Sequence, residues 1–157
     1  MPTSSDMRLV DGRWAPHVTV ATIVSNGTQV LLVSENINGQ LLLNQPAGHL
    51  EADESLAAAA VRETLEETGW EVELTGLVGI YQWQADDGTA FLRFTFAARP
   101  LHHHRQRPLD VGIEQALWLE PSSLAGHPAL RSPLVARCVA DWQAGQHYPL
   151  SVLEVVP

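Results

Sequence analysis

The sequence predicts one α/β domain in which helices pack against a mixed β-sheet. Several short segments rich in β-branched and aliphatic residues have the composition of strands. One stretch of helix-forming residues spans 53–68 without interruption, and no repeat, linker or low-complexity tract divides the chain. With 157 residues, 45% of them hydrophobic, the chain is long enough to bury one sizeable core. We therefore expect a single domain over residues 1–157.

The predicted strands begin near the N-terminus. Segments 17–24 and 29–35 flank Asn26-Gly27, a dipeptide typical of tight hairpins, so we expect two paired antiparallel strands. In segment 36–50 a second Asn-Gly pair precedes a short apolar run, which predicts a short strand followed by a loop containing Pro-Ala-Gly. Further strands are predicted at 71–83, 91–100 and 115–120.

Two helices are predicted. The first spans 53–68, where acidic residues at the start suit the helix dipole and Gly69 stands at the expected C-cap. The second begins at Ser132-Pro133 and ends at Gly145, and segment 101–110 is predicted to be a polar loop. The first helix has an apolar stripe that we expect to leave its glutamates on another face; its members are Leu56, Ala57, Ala60, Val61 and Leu65.

Composition excludes several functions. The formal net charge of −9 disfavours binding to nucleic-acid polymers and to anionic membranes. All nine basic residues are arginines, so Schiff-base chemistry and the lysine of Walker-type phosphate loops are both unavailable. The sequence contains neither an apolar stretch long enough for a membrane span nor an apolar leader at its start, and we expect a cytoplasmic protein.

Three glutamates of the first helix suggest a metal site. Residues at i, i+3 and i+4 lie on one helix face, so Glu63, Glu66 and Glu67 present three carboxylates to one small volume. A divalent cation would remove their repulsion, and a set of hard oxygen ligands favours Mg²⁺, or Mn²⁺, over zinc. Taken alone, the same triplet is also consistent with a solvated helix face on which Arg62 pairs with Glu66.

The surrounding segment, 48–70, has seven residues at fixed spacing across a loop, a helix and its cap: Gly48, Glu54, Arg62, Glu63, Glu66, Glu67 and Gly69. This pattern resembles the Nudix box, the signature of the Nudix hydrolase family. One specified position departs from the box, because Thr64 replaces a larger aliphatic residue. The resemblance implies a Nudix fold, which is an α/β/α sandwich around a mixed sheet. It also implies that the three glutamates and the Gly48 carbonyl bind Mg²⁺ and that water attacks phosphorus.

Further roles follow from the same resemblance. Glu54 and Arg62 are expected to brace the metal ligands, since an arginine fork can hold a carboxylate in one orientation. The general base is left open between Glu67 and Glu114, because family members use either a box glutamate or an acidic residue in a loop outside the box. Glu51 is a weaker candidate.

Most of the chain, from His17 to Leu150, is similar to the NudJ-type phosphatases within this family. That similarity implies release of orthophosphate from small substrates: nucleoside di- and triphosphates, thiamine pyrophosphate and hydroxymethylpyrimidine diphosphate. The chain is expected to act as a monomer or dimer. The alternative is a catalytically inactive Nudix-fold module that senses a nucleotide or binds a partner. Candidate substrate-binding residues are Gln45, His49, Tyr81, Trp83, Phe91 and Arg93.

Overall fold

The computed structural model describes residues 8–157. Part of the N-terminal stretch, in which no apolar leader was predicted, lies outside the described residues. The elements are β1 (Leu9–Val10), β2 (Arg13–Trp14), β3 (His17–Val24), β4 (Val30–Ile37), β5 (Gln40–Asn44), β6 (Ala47–His49), α1 (Leu56–Thr68), β7 (Trp70–Gln84), β8 (Ala90–His103), β9 (Ile113–Leu119) and α2 (Pro133–Gln143). A four-stranded mixed sheet has the order β6-β3-β8-β7, an antiparallel three-stranded sheet has the order β5-β4-β9, and β1 and β2 form a small hairpin.

The two helices pack on opposite faces of the strands. Successive side chains of a strand point to opposite faces, and strand β3 shows the consequence. Val20 belongs to a buried cluster with Ala59 and Ala60 of α1, whereas Ile23 belongs to one with Val135 of α2. This arrangement of helix, sheet and helix confirms the predicted α/β/α sandwich.

The predicted hairpin at Asn26-Gly27 is wrong. The turn forms, and a single bridge joins Ser25 to Val30, but the two strands then separate into different sheets. Strand β3 pairs with β6 and β8, and β4 pairs with β5 and β9. Both strands are buried along most of their length, so each gains more by lying in the middle of its own sheet than by pairing with the other.

Helix α1 begins later than predicted, and its buried residues include one of the glutamates. Ser55 caps it by accepting a hydrogen bond from the Ala58 amide, so the acidic residues before Ser55 lie in the preceding loop. Its buried residues are Ala59, Ala60, Thr64, Glu67 and Thr68. Glu67 therefore does not share a solvent face with the other glutamates, as the sequence had suggested. Thr64 is buried against Thr22, with their hydroxyl oxygens 2.7 Å apart.

Both predicted loops contain strand. Residues 47–49 form β6, which pairs with β3 in the register Val20↔Gly48. Strand β8 continues to His103, which pairs with Trp70 and stacks on its ring at 4.6 Å between ring centroids. Composition pointed to loops because these segments are polar or contain proline and glycine. Backbone pairing to a buried neighbour strand overrides that preference.

Helix α2 follows its predicted start closely. Pro133 opens it, and the Ser132 hydroxyl accepts a hydrogen bond from the Leu134 amide. The helix ends at Gln143, and Gly145 follows with a φ of 84°. Within residues 8–157, no helix has the length and apolar character that a membrane crossing requires.

Candidate active site

Strand β6 and helix α1 meet where Gly48 faces Glu63. A Cβ atom added at Gly48 would overlap the Glu63 carboxylate, so only glycine allows the strand and the carboxylate to approach this closely. The same strand holds Glu67, whose Oε1 accepts a hydrogen bond from the Ala47 amide at 2.7 Å. The predicted ligands Glu63 and Glu67 of α1 thus lie against β6, the strand that carries a third predicted ligand, the Gly48 carbonyl.

A group of three acidic side chains lies beside this junction. One carboxylate oxygen each from Glu63, Glu66 and Asp110 lie within 4.8 Å of one another. Asp110 belongs to the segment between β8 and β9, and its amide donates a hydrogen bond to the Glu66 carbonyl at 3.1 Å. Asp110 was not among the predicted site residues, although its place as an acidic residue at the end of the predicted polar loop was a signal that could have identified it.

Glu114, the predicted acidic residue outside the box, lies elsewhere. It is exposed on strand β9 rather than in a loop, and within residues 8–157 it is not part of the acidic group. The loop ends earlier than predicted because β9 begins at Ile113, where Glu35 of β4 provides a pairing partner. Asp110 therefore lies beside the box glutamates, where Glu114 was expected.

Arg62 connects the acidic residues. Its Nε and Nη2 donate to the two carboxylate oxygens of Glu54, at 3.0 and 2.7 Å. Its Nη1 donates to Glu63 at 2.8 Å and to Glu66 at 3.2 Å, and Nη2 also donates to the His49 carbonyl at 3.1 Å. This is the geometry that the predicted bracing role of Glu54 and Arg62 requires. Hydrogen bonding to Glu54 raises the pKa of Arg62.

Burial raises the pKa of two glutamates. Glu67 is 7% exposed, and its burial raises its pKa to about 8. Desolvation also raises the pKa of Glu63, with Arg62 acting in the opposite direction. Buried carboxylates that are costly to ionise, next to further carboxylates, form a site whose charge a cation would compensate. The donor set consists of hard oxygens, so these residues fit a divalent cation such as Mg²⁺ or Mn²⁺.

Metal affinity should therefore depend on pH. As a predicted ligand, Glu67 would have to lose its proton to bind a cation, and with a pKa of about 8 it is mostly protonated at pH 6. We expect the Kd for Mg²⁺, measured by calorimetry, to fall about tenfold from pH 6 to pH 7 and to level off above about pH 8. Glu67→Gln should flatten this dependence. A Kd that is unchanged between pH 6 and pH 8 would contradict the expectation.

A cleft of about 890 Å³ opens next to the junction of β6 and α1. Ala47, Gly48 and His49 form one side of it, and the first residues of α2 form another. Trp83 and Phe91 lie on its wall and stack with their ring centroids 5.6 Å apart. The cleft is large enough for a nucleotide-sized ligand, and its aromatic wall suits a flat ring.

Four of the six predicted substrate-binding residues line this cleft: His49, Trp83, Phe91 and Arg93. The other two do not. Gln45 is fully buried behind Arg93 and donates to the Val135 carbonyl of α2 at 2.8 Å. Tyr81 precedes Trp83 on β7 and lies against α2, where its hydroxyl donates a hydrogen bond to Asp141 at 2.8 Å. Packing against α2 thus separates these two residues from the cleft.

Comparison with known proteins identifies the family. A family model described as the NUDIX domain matches residues 15–141. Phosphatase NudJ of Escherichia coli K12 is 45% identical over 138 residues, which cover 88% of this chain and 90% of that protein. Phosphatase NudJ of Shigella flexneri gives the same values. These matches confirm the resemblance to NudJ-type phosphatases.

Solved structures agree with this assignment. A NUDIX hydrolase from Nitrosomonas europaea superimposes with a TM-score of 0.87 at 41% sequence identity, covering 90% of this chain and 98% of that chain. A structure of UDP-X diphosphatase gives a TM-score of 0.70 at 17% identity, covering 87% and 68%, and shows similarity of fold alone. The chain belongs to the Nudix family and is a Nudix hydrolase.

Proposed function

We propose that this Nudix hydrolase cleaves small heterocyclic di- and triphosphates with Mg²⁺ as its cofactor and releases orthophosphate. The substrate class comprises nucleoside di- and triphosphates and thiamine-related diphosphates, namely thiamine pyrophosphate and hydroxymethylpyrimidine diphosphate. The observation that carries the proposal is the acidic group of Glu63, Glu66 and Asp110 beside Gly48, next to a cleft with an aromatic wall. The name of the similar Phosphatase NudJ proteins supports phosphate as the product.

Each residue of the site has a proposed task. Glu63, Glu66, Glu67 and the Gly48 carbonyl hold the cation. Glu54 and Arg62 keep those carboxylates in place, through the hydrogen bonds described above. When bound, a divalent cation neutralises phosphate oxygens and makes a coordinated water more acidic. His49, Trp83, Phe91 and Arg93 contact the substrate.

The general base is a separate question. A base must lie within reach of the attacking water, and Asp110 lies in the acidic group whereas Glu114 does not. We expect Asp110→Asn to lower kcat about 100-fold, and Glu114→Gln, an exposed position on β9, to change kcat less than threefold. Steady-state phosphate release measures both. If Glu114→Gln had the larger effect, the base would be Glu114. Equal small effects would favour Glu67.

A phosphate-release screen tests the proposed function. Purified protein is offered nucleoside di- and triphosphates and thiamine-related diphosphates, each with Mg²⁺, with Mn²⁺ and with excess chelator. The expected result is metal-dependent phosphate release from one or more of these substrates and none with chelator. Nucleotide binding in calorimetry without any phosphate release in the presence of Mg²⁺ would instead indicate the inactive module.

A further inference from the structure

Arg93 is a buried cation without a buried anion beside it. It is 5% exposed, and among residues 8–157 no carboxylate lies within ion-pair distance of its guanidinium. Desolvation accordingly lowers its pKa. Within the same residues its Nε has no hydrogen-bond partner. Buried donors are nearly always satisfied in folded proteins, and Arg93 lines the cleft. Arg93, a residue of the cleft lining, therefore carries an unfilled donor.

The guanidinium is also held in place. Its Nη2 donates to Oε1 of Gln45 at 3.0 Å, and Nε2 of Gln45 donates to the Val135 carbonyl in α2 at 2.8 Å. Gln45 is itself fully buried. This chain of hydrogen bonds fixes Arg93 to the helix that borders the cleft, which orients its remaining donors in advance of binding.

An unfilled acceptor lies in the same cleft. Oδ1 of Asn44 is buried and has no hydrogen-bond partner among residues 8–157. Asn44 and the largely buried Glu35 both line the cleft. Burial raises the pKa of Glu35, whereas Arg131, Asn44 and, more weakly, Arg93 act to lower it. The cleft thus presents a fixed N–H donor together with a carbonyl-type acceptor and a carboxyl group.

These groups would suit the two ends of a substrate differently. Phosphate oxygens only accept hydrogen bonds and carry negative charge, so they could pair with Arg93 or with Arg131 of the same cleft, but not with Oδ1 of Asn44 or with an ionised Glu35. A nitrogen heterocycle offers a ring nitrogen or carbonyl as acceptor next to an N–H donor. Such an edge satisfies Arg93 and Asn44 together, while its ring can stack on the aromatic wall formed by Trp83 and Phe91.

We propose that Arg93, Asn44 and Glu35 form a specificity site that recognises the heterocycle of the substrate rather than its phosphates. This inference rests on the proposed function and refines its substrate class. It assigns to Arg93 a task different from the phosphate clamp that arginine often provides. Gln45 is a positioning residue for Arg93.

Binding measurements without turnover test the proposal. Calorimetry in excess chelator compares cytidine 5′-diphosphate, which carries a ring acceptor beside an amino group, with benzyl diphosphate, which keeps a flat ring and the diphosphate but has no hydrogen-bonding edge. The variants are Arg93→Met, Arg93→Lys and Asn44→Leu. The matched control is Arg99→Met, an exposed arginine on the same strand β8. Thermal unfolding reports whether each variant is folded.

The wild-type protein is expected to bind cytidine 5′-diphosphate at least tenfold more tightly than benzyl diphosphate. Arg93→Met and Asn44→Leu should weaken the first ligand at least tenfold and the second less than threefold, with Arg99→Met changing neither. If Arg93→Met does not fold, the proposal is decided by whether Arg93→Lys and Asn44→Leu show the same selective loss of cytidine 5′-diphosphate binding. Equal losses for both ligands, or no wild-type preference, would overturn the proposal. Selective binding without phosphate release from any substrate would leave it standing and reject the proposed function.

Discussion

Glu66→Gln is expected to lower kcat for phosphate release by ~100-fold or more, and Glu67→Gln to do the same. An amide keeps the shape of each side chain but removes the charge that a divalent cation requires. Glu66 belongs to the acidic group, and Glu67 is buried against the Ala47 amide. Both changes should therefore remove support for the charge that develops on phosphate in the transition state, which acts on kcat more than on KM.

Glu73→Gln provides the matched control for this pair. Glu73 is half exposed on β7 and pairs with Arg99, away from the acidic group. The same substitution there should leave kcat within twofold of the wild-type value. Near-wild-type phosphate release from both Glu66→Gln and Glu67→Gln would reject the metal-dependent mechanism.

Gly48→Ala is expected to lower kcat/KM about 100-fold with a smaller effect on stability. The added methyl group would occupy the position of the Glu63 carboxylate, so that carboxylate must move away from β6 and from the neighbouring ligands. Misplacement of a group by about 1 Å can cost about 100-fold in rate. The Gly48 backbone itself does not have a positive φ, so the loss would come from this collision rather than from backbone strain.

Gly76→Ala tests whether any such collision has the same result. A Cβ atom there would overlap the ring of His147, an exposed side chain that is not part of the site. Steady-state kinetics and thermal unfolding should show similar small losses of stability in the two variants and a loss of activity in Gly48→Ala alone. Equal activity in both variants would show that Gly48 does not control the position of Glu63.

Part of the candidate site could be predicted from the sequence because its arrangement is local. The proposed metal ligands, spaced three and four residues apart, lie within 48–70 together with a glycine and an arginine, and local spacing on a helix determines which side chains lie near each other. Thr64 illustrates how a departure from the pattern is accommodated. Its hydroxyl donates to the Ala60 carbonyl and lies against Thr22, so a polar residue is satisfied in a buried position.

The errors share one physical cause, which is that distant parts of the chain decide between locally similar outcomes. An Asn-Gly turn specifies a reversal, but whether β3 and β4 then pair depends on β8 and β9, which lie much later in sequence. Asp110 and Glu114 are both acidic residues just before the strand predicted at 115–120, so the local sequence does not distinguish them. What distinguishes them is the hydrogen bond from the Asp110 amide to α1, a contact across 44 residues that no local pattern contains.

The contacts of Arg62 have a consequence for how the protein is assembled in a cell. Its Nη1 bridges Glu63 and Glu66, so the helix carries an internal counterion for these carboxylates. Many metal sites leave their ligands mutually repelling until the metal arrives, which makes folding depend on metal supply. Here an internal positive charge takes part of that role. Folding of this helix therefore need not wait for a divalent cation.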